Sequence, residues 1–114
     1  MSHKTNQKKE LHFEIYGLNG CPYHIGAIQT LTHYKGTINA NPNSKNKVKI
    51  TIKDIERDIW HIHLDKVCTT KVKTNKTKAK THKTSPFIIC NGHFIGGYDS
   101  LSNELQKPAP FKGI

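Results

Sequence analysis

Over one short turn this chain stops being a strand and starts being a helix, and a cysteine stands at the junction. Leu11, Phe13 and Ile15 alternate with His12, Glu14 and Tyr16, the period of two that specifies a strand. Gly17 to Gly20 is a turn, and Ile25, Ile28 and Leu31 then follow helical spacing, with Gly36 as the expected stop. Cys21 closes the turn and Pro22 suits the first helical position, where no N–H is needed. The unpaired N–H groups and the positive end of the helix dipole then point at the sulfur and favour its thiolate. This placement suits redox chemistry. The fourth residue of Cys21-Pro22-Tyr23-His24 is a histidine, so no disulfide closes within the motif and any chemistry runs through one thiol.

The chain of 114 residues is long enough for one modest core. Its three cysteines are an odd, sparse set that matches no zinc spacing and fits a reducing compartment such as the cytoplasm. Met1 to Glu10 is polar and basic without an apolar core, which argues against a signal peptide and reads as a disordered lead-in. The net charge of +10 attracts anions, nucleic acid and acidic proteins among them. Lysine supplies all but one of the 18 basic residues, and asparagine is abundant too, so an A/T-rich genome such as that of a large DNA virus accounts for the bias equally well.

Val48, Ile50 and Ile52 alternate with lysines, as in an edge strand whose charge discourages sheet-to-sheet association. Asp54 to Val67 reads as a second helix with Ile55, Ile59 and Ile62 inward and Trp60 as packing. Thr69 to Lys83 lacks apolar periodicity and is expected to be a long basic loop, either merely solvated or an electrostatic contact for nucleic acid or an acidic partner through Lys71 to Lys83. Phe87 to Ile89 is a buried strand, Asn91-Gly92 a hairpin turn, and Phe94-Ile95 its partner. Asp99 is placed as the N-cap of a last helix halted by Pro108, leaving 108–114 as a tail. Cys90 ends an apolar run and is expected buried, and Cys68 exposed; His61 and His63 fall on different helix faces, which disfavours a metal.

Two separated motifs agree: Cys21-Pro22-Tyr23 opening a helix, and Thr84-Ser85-Pro86 before the third strand with Gly96-Gly97-Tyr98-Asp99 behind it. Together they resemble a glutaredoxin, from about Leu11 to Leu105 within a domain expected over 11–107. The resemblance implies a thioredoxin-like three-layer α/β/α domain with a four-stranded mixed sheet and about three helices. It implies Cys21 as nucleophile and glutathione as cofactor, held by Tyr23, Ser85, a cis Pro86, Gly97, Tyr98 and Asp99. A monomer acting on glutathionylated proteins is the expected form. Glutaredoxins place a lysine where this chain has Leu18, and Lys83 is the residue expected to take over the carboxylate contact. Without that lysine, Cys21 should be less acidic than in lysine-bearing relatives. His24 is read two ways, as a side chain that stabilises the thiolate or shuttles its proton, or as a solvent-facing residue of the first turn. Two other functions stay open: a glutathione-ligated [2Fe–2S] module, against which the absence of a C-G-F-S motif counts, and a catalytically weak scaffold with a basic interaction loop.

Overall fold

The computed structural model describes residues 8–114. In chain order they form β1 (Lys9–Leu18), α1 (Pro22–Ala40), β2 (Asn46–Ile55), a 3-10 turn (Arg57–Ile59), α2 (Trp60–Thr70), α3 (Lys76–Thr81), β3 (Phe87–Cys90), β4 (His93–Gly96) and α4 (Tyr98–Leu105). The sheet runs β2-β1-β3-β4, with β2 parallel to β1 and the other pairs antiparallel. The lysine-bearing strand β2 is therefore an edge, as its alternation implied.

Alternation along β1 divides the core. Leu11, Phe13 and Ile15 pack with Ala27 and Leu31 of α1, Leu101 of α4 and Phe111 on one face. Tyr16 packs with Trp60, Leu64 and Val67 of α2 and with Phe87 and Phe94 on the other. The helices cover both faces, and the end of β1 and the start of β3 are left beside the start of α1. Among the described residues, no helix is long and apolar enough to cross a membrane.

Several sequence expectations are corrected. Strand β1 begins at Lys9, inside the expected lead-in; residues 1–7 of that lead-in lie outside the described chain. Helix α1 passes Gly36 and reaches Ala40, because its end is anchored: the Asn39 side chain donates to the Val48 carbonyl (3.0 Å) and accepts the Val48 N–H (2.8 Å). Strand β2 extends through Ile55, so the next helix starts at Trp60, whose indole N–H donates to the Lys83 carbonyl at 2.8 Å. That start puts Trp60, Leu64, Val67 and Cys68 inward and leaves Ile59 and Ile62 exposed, and Ile25 of α1 is exposed as well. Cys68 is buried rather than exposed.

The expected basic loop holds structure. Val72 is buried, Thr74 bridges to His93 beside the sheet, and α3 turns Ala79 into the core while its lysines point outward. Residues 108–114, expected to trail off, fold back: Phe111 is buried edge-on against Phe13 and Tyr34, and its N–H donates to the Glu104 carboxylate at 2.9 Å. The N-cap of α4 is Gly97, with Asp99 in the first turn and no side-chain cap.

Candidate active site

Cys21 is the N-cap of α1, held by its own N–H to the Leu18 carbonyl and by its carbonyl to the Ile25 N–H, both 3.0 Å. Pro22 has no N–H to give, so the next two donors, on Tyr23 and His24, are those directed at the sulfur. Across the turn, the Ser85–Pro86 peptide is cis, and the Ser85 carbonyl lies 4.0 Å from Sγ. The Ser85 hydroxyl accepts the Leu18 N–H at 2.8 Å, tying the cysteine turn to the proline turn.

These groups decide the thiol's acidity. Partial burial pushes the Cys21 thiol up, but the Ser85 side chain, the His24 and Tyr23 N–H groups and the Arg57 guanidinium outweigh it, and the thiol sits below the usual cysteine range. Cys90 behaves oppositely: burial pushes its thiol up to about 12. Arg57, on the 3-10 turn after β2, is the charged group among those that favour the thiolate. It is the only arginine in the chain, a signal that was available in the sequence.

Beside the sulfur runs a cleft of about 400 Å³ lined by Tyr23, His82, Thr84, Ser85, Gly97, Tyr98, Asp99 and Ser100. Five of the residues expected at a glutathione groove thus come together in one wall, and Pro86 forms the buried turn behind them. Tyr23 and Tyr98 stand with ring centroids 6.4 Å apart, and Gly26 of α1 leaves the space in which the Tyr98 ring lies. Gly97 serves the protein's own packing, since a Cβ there would press on the His82 ring and the Pro86 carbonyl. His82, which sequence reasoning passed over, donates from Nε2 to that carbonyl at 2.9 Å and packs on Phe87 and Phe94.

Two expectations fail here. Lys83 does not line the cleft; its ammonium pairs with Asp65 of α2 at 3.7 Å, on the far side of the loop. His24 does not face solvent, and its ring is engaged with Asp54. It is 1% exposed, with Nε2 2.8 Å from the Asp54 carboxylate and Nδ1 buried without a partner among the described residues. Its ring occupies the space above Gly17, where any Cβ would overlap it.

Among solved structures, the chain is similar to glutaredoxin 1 from Francisella tularensis, crystallised with cacodylate, at a TM-score of 0.55 and 23% identity over 83% of this chain and 92% of that one. This chain has the thioredoxin-like fold of a glutaredoxin. No protein-family profile and no curated protein matches it. The likeness therefore rests on backbone architecture.

Proposed function

We propose that the protein is a glutathione-dependent thiol–disulfide oxidoreductase that works through Cys21 alone. The observation that carries this reading is the position of Sγ, which caps α1 with a lowered thiol pKa and lies 4.0 Å from the carbonyl of Ser85, a residue that with Tyr23 lines the cleft running to Asp99. The cleft suits a γ-glutamyl end, because the N–H groups at the start of α4 attract a carboxylate and the exposed Asp99 side chain an ammonium. The carboxylate at the other end of the tripeptide falls to Arg57, whose charge already acts on Cys21, because Lys83 is engaged with Asp65.

In the reaction, the Cys21 thiolate attacks the glutathione sulfur of a protein–glutathione disulfide. A Cys21–glutathione disulfide forms and the protein leaves as a thiolate, which takes a proton from water. Exchange with a free glutathione thiolate then returns Cys21 as a thiolate and releases glutathione disulfide, so that each turnover consumes one glutathione thiol and frees one protein thiol. Reduction of a glutathionylated peptide by glutathione, coupled to glutathione reductase, tests this. Turnover should fall to the uncatalysed rate in Cys21→Ser, and equal rates for the two proteins would end the enzyme reading.

A further inference from the structure

Among the described residues, the fourth residue of the motif is the one buried polar side chain, and it has no obvious chemistry. His24 follows Tyr23 in the first turn of α1, so its backbone and its ring do different things. The N–H faces the Cys21 sulfur, and the ring goes down into the protein, between the bare Cα of Gly17 on β1 and the carboxylate of Asp54 on β2. Gly17 and Asp54 are paired in the parallel register of those strands, so the ring is held across one rung of the sheet.

Burying an imidazole with one nitrogen unpartnered costs free energy that an apolar side chain would not. Glycine at 17 is likewise a cost inside a strand. Both costs are borne directly beneath the cysteine, and local conflicts of this kind mark functional positions. Asp54 is itself largely exposed, at 60%, so the ring reaches out to it from the core to be fixed in direction.

We propose that His24 is a positioning residue for the Cys21 thiolate: clamped between Gly17 and Asp54, its side chain fixes the first turn of α1 so that the Tyr23 and His24 N–H groups face the sulfur. This deepens the oxidoreductase reading and rests on it for its purpose, but its test does not require turnover. The charged groups about the sulfur and ring are Arg57, from the turn after β2, and Asp54.

Thiolate absorbance at 240 nm against pH, with folding checked by circular dichroism, reads the effect in four proteins. His24→Leu should raise the Cys21 titration by about half a pH unit, the size expected for loosening donors at a helix start. His24→Gln, which keeps an amide donor near the Nε2 position and carries no charge, should titrate close to wild type. Asp54→Ala should move the midpoint upward too. Removing a negative charge on electrostatic grounds alone would move it downward, so the sign separates positioning from simple charge. The inference is overturned if Asp54→Ala leaves the midpoint in place or lowers it, or if His24→Gln rises as far as His24→Leu. Should His24→Leu fail to fold, the other two variants still decide. A shift in titration together with absent deglutathionylation in wild type would uphold the positioning role and reject the oxidoreductase function, so the two failures are distinguishable.

Discussion

Cys21 has two unlike neighbourhoods. On the β1–β2 side lies the buried His24 ring, packed over the bare Cα of Gly17 and reaching the exposed Asp54 carboxylate, with Arg57 on the turn that follows β2. On the α4 side it opens onto a wall of half-exposed rings and main chain, from Tyr23 and Ser85 to Gly97 and Asp99. The closed side holds groups that act on the sulfur whether or not anything is bound. The open side holds groups that can only act on a guest. Under the proposed function, acidity and recognition fall to different walls of one site, and substitutions should separate them.

Forcing a methyl into the closed side should have the largest effect. Gly17→Ala places a carbon where the His24 ring lies, an overpacking cost of about 1–3 kcal/mol. The urea midpoint should fall accordingly, and the Cys21 titration should rise in the same variant. An unchanged midpoint would show that the ring moves freely and that the stack is not rigid. On the open side, Asp99→Asn should weaken an exposed contact with an ammonium by about 1 kcal/mol, roughly fivefold in KM for the glutathionylated peptide. The thiolate titration should stay where it is, and movement of both would show that the two walls are not independent.

The smallest effect belongs to Arg57. Its charge favours the thiolate, so Arg57→Gln should raise the Cys21 titration by about 0.3 pH, as suits an exposed pair. Turnover rises with pH through that titration because only the thiolate attacks; the wild-type profile should therefore climb at lower pH than the variant's. Added salt should draw the wild type towards the variant and leave the variant unmoved, since screening removes what the mutation has already removed.

The open side was legible in the sequence, and the closed side was not. Cys21-Pro22-Tyr23, Ser85-Pro86 and Gly97-Tyr98-Asp99 are local patterns whose meaning lies in the backbone they build, and the structure brings them together. The period-two strands and the Asn91-Gly92 turn, which has positive φ at both residues, were readable for the same reason. The burial of His24 depends on a hole made seven residues earlier and an acceptor thirty residues later, and no local pattern encodes such a meeting. Arg57 carried a signal, as the lone arginine among lysines, but its distance from Cys21 follows from how β2 ends. Helix α3 escaped notice because its six residues turn one alanine inward, which is too little to form a period. Lys83 was misassigned because adjacency to Thr84 says nothing of direction, and the Trp60 bond to its carbonyl helps fix the chain so that its ammonium meets Asp65.

The distribution of sulfur sets what the molecule can remember. Cys68 lies in the cluster under α2 and Cys90 in the cluster under α1, on opposite faces of the sheet, and both are buried while Cys21 is partly open. An oxidising event at Cys21 thus finds no sulfur waiting beside it to complete a bond within the chain. It persists only as long as an outside thiol is slow to arrive. Working as proposed, such a protein would keep no oxidised form of its own in reserve: its state at any moment would mirror the ratio of reduced to oxidised thiols around it, and one equivalent of an alkylating agent under native conditions should silence it.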